Sequence, residues 1–246
     1  VLNHYFNKPV IIQVPIYMTK PKIKVDIVSD VVCPWCYIGK RRVEKAMDAL
    51  QDKYDFEVVY HPFELNPQMP AEGVNQKEYL SAKFGGEDRY TKITANTTEV
   101  AAQEGLAFDF SKQKISPNTR NAHRIIQFAL LAGKQPEVKE AFMSAYFEQG
   151  VDLSKKDNLV SVAVSAGLSQ EAVETLLSSD TGLSAIEEAE HELQKLGISG
   201  VPFYIINNKY GVSGAQASET FIKAFEDMGK EALASGEACD TDSKVC

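Results

Sequence analysis

The sequence predicts an α/β protein: a strand–helix–strand unit at one end and a hairpin–helix unit at the other, separated by an all-helical insertion. Three observations carry that expectation. Ile23, Val25 and Ile27 alternate ahead of Val28, Val31 and Val32, and a second β-patterned run, Phe56–Phe63, follows one helix later. Helical spacing then dominates about 72–196, where strand signals are absent. Last, Val201-Pro-Phe-Tyr-Ile-Ile206 and Tyr210-Gly-Val-Ser-Gly214 flank a turn at Asn207-Asn208-Lys209, and one more helix follows.

Residues 1–22 read as an irregular N-terminal extension. Its apolar stretch, Val10–Met18, contains Pro15 and has only Lys8 in front, unlike the basic start and unbroken core of a secretory signal. Met18 is an alternative start, and the expected compartment is the cytoplasm. The first strand covers Ile23–Ser29 and becomes buried at its C-terminal end. Pro34 suits the first turn of a helix, where its missing N–H costs nothing. That helix runs to about Gln51 with Val43, Ala46, Met47 and Leu50 on one face. Strand, helix and strand of these lengths imply a parallel pair with a right-handed crossover.

In the insertion the apolar faces are Ile125, Ile126, Ala129 and Leu130, then Phe142, Ala145 and Tyr146, then Val160, Val164 and Leu168. Gly197 is placed to close the last helix. The final helix, about 217–234, buries Phe221, Ala224, Phe225 and Met228, and a polar tail, 235–246, follows. This is a thioredoxin-like fold, discontinuous over 23–71 and 197–234, with a helical insertion over 72–196.

Composition narrows the function. The chain has 246 residues and a net charge of −8, from 26 Lys+Arg against 34 Asp+Glu. An acidic balance argues against phosphate-backbone and anionic-membrane partners, so neither nucleic acid nor membrane is expected. No apolar run reaches the roughly 18–20 residues of a membrane span. The four cysteines are too few for a disulfide scaffold: Cys33 and Cys36 form a close pair, Cys239 and Cys246 a looser one.

Cys33-Pro34-Trp35-Cys36 stands at a strand end and opens a helix. Free N–H groups and the helix dipole there favour a negative sulfur at Cys33, and the thiolate is what attacks a disulfide. Cys36, one turn on, is placed to close on Cys33, while Pro34 and Trp35 restrict that closure and offer apolar area. The competing reading is half of a zinc site, but the second half is not obvious, since Cys239 and Cys246 are too widely spaced. No metal is expected. Val201-Pro202 ahead of a strand is the second element: a cis proline is expected there, facing the cysteines, with Val201 backbone free to pair with an extended substrate.

Four ordered motifs carry a family resemblance. They are Ser29-Asp-Val-Val-Cys-Pro-Trp-Cys-Tyr-Ile-Gly39, Phe63-Glu-Leu-Asn-Pro67, Asn118-Thr-Arg-Asn-Ala-His-Arg124 and Gly197-Ile-Ser-Gly-Val-Pro-Phe203. Over about 23–234 the chain resembles the FrnE-like branch of the DsbA family, which is related to 2-hydroxychromene-2-carboxylate isomerase and the kappa-class glutathione transferases. The resemblance implies a disulfide oxidoreductase or isomerase with Cys33 as nucleophile, Cys36 as resolving thiol and Pro202 as the cis proline. It also implies Asn66, Asn118 and His123 on the groove facing the pair. For His123 the competing reading is a helix histidine bonded to a neighbour; His61 reads as structural. Lys40-Arg41-Arg42 reads as a solvated face that adds positive field behind the cysteines.

The expected partners are protein thiols and disulfides or a small molecule, with no bound cofactor and glutathione as a candidate co-substrate. The alternative function is a glutathione-dependent isomerase or transferase acting on an aromatic or polyketide-like molecule. Those relatives typically replace the first cysteine with serine, so the presence of Cys33 and Cys36 favours redox chemistry. Cys239 and Cys246 form a candidate redox relay, set against a local disulfide or two unpartnered thiols. The insertion leaves a homodimer surface open without requiring one.

Overall fold

The computed structural model of the protein describes residues 20–235. The N-terminal extension up to residue 19 and the candidate relay cysteines Cys239 and Cys246 lie outside the described residues.

Strand β1 (Lys22–Ser29) leads into helix α1 (Pro34–Leu50) and strand β2 (Asp55–Pro62), which pairs parallel to β1 with Lys22 opposite Asp55 and Ser29 opposite Pro62. At the other end of the chain, β5 (Phe203–Ile206) lies antiparallel to β1, and β6 (Tyr210–Ser213) pairs with β5. The order β2–β1–β5–β6 places β1, whose C-terminal end leads into the cysteine pair, inside the sheet. Asn207 and Asn208 take φ of 50° and 56° at the hairpin turn, a conformation asparagine tolerates better than branched residues. Helix α9 (Ser218–Ser235) lies along α1 and β1. Its Phe221 and Phe225 are fully buried, with centroids 4.7 Å from Tyr204 and 4.9 Å from Phe56 respectively.

The insertion holds α2 (Gln76–Phe84), α3 (Glu87–Gln103), α4 (Arg120–Leu131), α5 (Gln135–Phe147), α6 (Lys156–Ser165), α7 (Gln170–Leu177) and α8 (Leu183–Lys195). It is not purely helical. Val74–Asn75 (β3) and Ile115–Ser116 (β4) form a short antiparallel ladder that the sequence reading missed, because two residues are too few for any alternation to register. Leu130 and Val164, expected in the core, are exposed, whereas Ile125, Ile126, Ala129, Phe142, Ala145, Tyr146, Val160 and Leu168 are buried. Gly197 follows α8 at φ 79°, the left-handed position where a side chain would be strained.

Sheet and insertion are joined by polar contacts as well as packing. β2 is an edge strand, and the buried Gln135 satisfies both backbone groups of Tyr60. Its Oε1 accepts from Tyr60 N at 2.8 Å, and its Nε2 donates to Tyr60 O at 2.9 Å. Gln127 Nε2 donates to the same carbonyl.

Gly39 marks the closest approach of α1 to the sheet. A Cβ there would collide with the Tyr204 hydroxyl and sit 3.3 Å from Ala215 Cα. Alanine would normally gain about 0.5–1 kcal/mol in a helix, but overpacking costs roughly 1–3 kcal/mol. Gly39→Ala is therefore expected to lower the urea midpoint. An unchanged or higher midpoint would show that the Tyr204 ring gives way freely.

Candidate active site

Cys33 is the N-cap of α1, with an extended backbone (φ −91°, ψ 112°) and Pro34 as the next residue. Its Sγ accepts the Cys36 N–H at 3.3 Å, the contact by which a helix N-terminus stabilises a sulfur anion. Both cysteines are buried and unbridged. Across from them the Val201–Pro202 peptide is cis, and the Cys33 thiol approaches Val201 O at 3.8 Å.

Buried Asp30 holds the loop before Cys33 together. Its backbone carbonyl accepts from Cys33 N at 3.4 Å, and its carboxylate accepts from Val32 N at 3.5 Å and from Leu65 N at 2.8 Å. His123 Nε2 lies 3.3 Å from Asp30 Oδ1. Burial opposes ionisation of Asp30. The hydrogen bond and charge of His123, the Leu65 N–H and the Lys139 charge outweigh it, so its pKa falls below the usual carboxylate value.

Lys139 of α5 is fully buried, donating to Ser29 O at 3.2 Å with its ammonium 6.0 Å from the Tyr60 ring centroid. Burial lowers its pKa to about 8, against the raising influence of Cys36, Asp30 and Cys33. Cys36 shifts the other way. Burial first, then its hydrogen bond to Cys33 and the charge there, push it well above an ordinary thiol, while Lys139 pulls it back.

The basic run 40–42 departs from expectation. Lys40 is buried against Glu44 and Glu140, Arg41 pairs with the same two carboxylates, and Arg42 pairs with Glu104 at 2.6 Å. Burial works against ionising Glu140, yet Arg41, Lys40 and the Tyr37 hydroxyl hold its pKa down at about 2. These cations are neutralised by carboxylates. The positive charge that acts on both cysteines, and on Asp30, belongs to Lys139, which the sequence reading did not single out.

A cavity of about 330 Å³ opens beside Cys33. Of the residues expected at the site, Cys33, Pro34, Trp35, Asn66 and Val201 line it together. Asn66 Nδ2 donates to the Tyr79 hydroxyl at 3.3 Å. Asn118 and His123 are not among its walls. Asn118 braces the chain, donating to Met69 O at 2.8 Å and accepting from Arg120 N at 3.0 Å, and His123 is buried on Asp30. His61 pairs with Asp26 at 2.7 Å, in line with a structural role. Asp30 lay inside a quoted motif; Lys139 and Glu140 carried no sequence signal. Among the described residues no three His, Cys, Asp or Glu side chains cluster as a metal site, and no helix is long and apolar enough to cross a membrane.

A dithiol at a helix N-terminus, beside a cis proline at the end of a four-stranded sheet, defines the thioredoxin-type class. A family model for the DSBA-like thioredoxin domain matches residues 24–226. The chain belongs to that family. It is 33% identical to the probable DsbA oxidoreductase SCO1869 from Streptomyces coelicolor, whose crystal structure superposes with a TM-score of 0.77 over 91% of this chain and 94% of that one. It is 25% identical to the uncharacterized protein YwbO of Bacillus subtilis (strain 168), over 85% of this chain and 98% of that one. The cytosolic disulfide reductase DsbM from Pseudomonas aeruginosa, solved with GSH, shares the fold at 14% identity. Its TM-score is 0.60, over 84% of this chain and 99% of that one.

Proposed function

We propose that this protein is a thiol–disulfide oxidoreductase of the FrnE-like kind, with Cys33 as nucleophile and Cys36 as resolving thiol. The observation that carries the reading is the Cys33 sulfur at the N-cap, accepting the Cys36 N–H and facing cis Val201–Pro202. The Cys33 thiolate attacks a substrate disulfide, forming a mixed disulfide and expelling one substrate thiolate. Cys36 gives up its proton, a loss that the charge of Lys139 eases against burial, and attacks the Cys33 sulfur, releasing the second thiolate. The substrate gains two electrons and the pair becomes a disulfide; the reverse sequence oxidises a dithiol.

Titration in graded glutathione buffers, with acid quench, differential alkylation and peptide mass mapping, tests this. The expected result is one cooperative two-electron transition at Cys33–Cys36. The same maps follow Cys239 and Cys246. If replacing both tail cysteines with serine leaves turnover of a protein disulfide unchanged, they form no relay.

The cavity beside Cys33 favours a second reading, a glutathione-dependent isomerase or transferase on a small molecule. Its signature is glutathione held stably on Cys33 without closure by Cys36.

A further inference from the structure

We infer that the cavity beside Cys33 is a specificity pocket for one aromatic side chain of a polypeptide substrate, carried two residues from the disulfide-bonded cysteine. The inference rests on the thiol–disulfide reading above and names its substrate class.

Size and polarity select the occupant. An apolar cavity of about 150 Å³ holds one benzene ring. The 330 Å³ beside Cys33 therefore takes a single ring-bearing side chain and leaves the peptide backbone at the mouth. Phe84, Phe110, Tyr146 and Phe147 are in the walls, and rings meet such side chains edge-on or offset. A leucine would leave part of that space empty. Several of the wall's polar groups are spent on the protein itself. The Thr94 and Thr97 hydroxyls donate to Tyr90 O at 2.9 Å and Ile93 O at 2.7 Å. Asn66 Nδ2 donates to the Tyr79 hydroxyl, and Gln113 Nε2 is buried behind the surface. A polar group entering beside them would lose its water without gaining a donor.

Attachment to a polypeptide follows from the mouth. Trp35, Leu65 and Ile93 line the cavity yet are exposed, so the apolar surface continues outward past what one ring covers. Val201 lines the same cavity next to Cys33, and its N–H pairs with no backbone carbonyl among the described residues. A peptide carbonyl satisfies that donor, as in strand addition. Along an extended segment, side chains alternate between two faces. Cys33 is part of the pocket wall, so the substrate sulfur and the ring share one face and stand two residues apart.

The electrons balance as in the reduction above. The Cys33 thiolate bonds to the peptide's cysteine sulfur and breaks its disulfide, expelling the other half as a thiolate. The Cys36 thiolate then forms the Cys33–Cys36 bond and expels the peptide thiolate. Two electrons pass from the protein dithiol to the substrate, and the dithiol's two protons end on the released thiols.

Capped pentapeptides with a central cysteine joined by a disulfide to cysteamine test this, with alanine elsewhere and one phenylalanine moved along the positions. Pre-reduced full-length protein reacts in single turnover, and acid-quench mass spectrometry reads the freed peptide. Phenylalanine two residues from the cysteine, on one side of it, should raise the second-order rate about tenfold over the all-alanine peptide. An adjacent phenylalanine should change it less than about twofold, and leucine at the favoured position should fall between. Thr94→Phe, which adds a ring to the wall, should bring the preference close to one, and Thr94→Val should keep it. On the wild type, ethylbenzene should slow the phenylalanine peptide to the all-alanine rate, a readout that does not depend on a variant folding. Equal rates for the phenylalanine and alanine peptides, a preference for the adjacent position, or a preference that survives both ethylbenzene and Thr94→Phe overturns the proposal. So does 2-phenylethyl ethyl disulfide reacting as fast as the favoured peptide, because the occupant is then a small molecule. The glutathione-buffer titration separates the two failures: a normal Cys33–Cys36 transition without aromatic preference sinks the pocket alone, and no transition sinks the redox reading.

Discussion

Cys33→Ser is expected to lower disulfide turnover by more than about a thousandfold, because a serine hydroxyl at neutral pH neither attacks a disulfide nor forms a mixed disulfide. Cys36→Ser should fail differently. Cys33 can still attack, so the substrate becomes trapped as a mixed disulfide that accumulates stoichiometrically and is released only by added thiol. Non-reducing mass spectrometry after acid quench distinguishes the two. Cys33 lines the cavity and Cys36 does not, which gives substrate access to Cys33 first. If the Cys33→Ser protein formed the adduct through Cys36, the assignment of roles would be reversed.

Lys139→Met is expected to lengthen the life of that mixed disulfide by about tenfold or more. Cys36 is held well above an ordinary thiol by burial and by Cys33, and Lys139 is the cation that opposes this. A neighbouring charge of that kind is worth roughly one to three pKa units, hence at least a tenfold change in thiolate fraction. The first step, attack by Cys33, should slow less. Rapid-quench kinetics separate the two steps, and equal slowing of both would mean that Lys139 acts only through general packing.

The same lysine gives the pH dependence of stability a definite sign. Its pKa falls from the usual 10.5 to about 8 on folding, chiefly through burial. Below about pH 8 both folded and unfolded chains hold the proton, and the cost of burying the charge is present in full. Between about 8 and 10.5 the unfolded chain holds the proton and the folded one releases it, so stability rises with pH. Relative to Lys139→Met, the wild type should gain roughly 3 kcal/mol across that window. Urea titrations of both proteins at pH 7 and pH 10 measure it. A constant difference would place Lys139 in contact with water.

Much of the fold is local in origin and was legible for that reason. The alternation through Ile23, Val25 and Ile27 marks β1, and the helical spacing of Val43, Ala46 and Leu50 marks the buried face of α1. The Asn207-Asn208 turn marks the closing hairpin, observed as β5 and β6. Within the site, Cys33-Pro34-Trp35-Cys36 and Val201-Pro202 stand out because each is a short run whose covalent geometry and charge preference act within a few residues. The β3–β4 ladder was not legible, since two residues have no period. The burial of Lys40 was not legible either, since its partner Glu140 is a hundred residues away.

Local pattern in the chain accounts for its local chemistry: a helix whose N-terminus favours sulfur as an anion, a strand before it, and a proline turn to face it. Packing in three dimensions sets what surrounds that sulfur. Lys139 and Glu140 are adjacent on α5, yet one is fully buried on Ser29 O and the other pairs with Lys40 and Arg41. Hydrophobic pattern and turn chemistry act over one or two turns of chain, whereas charge, desolvation and cavity shape depend on distances in space that folding alone sets.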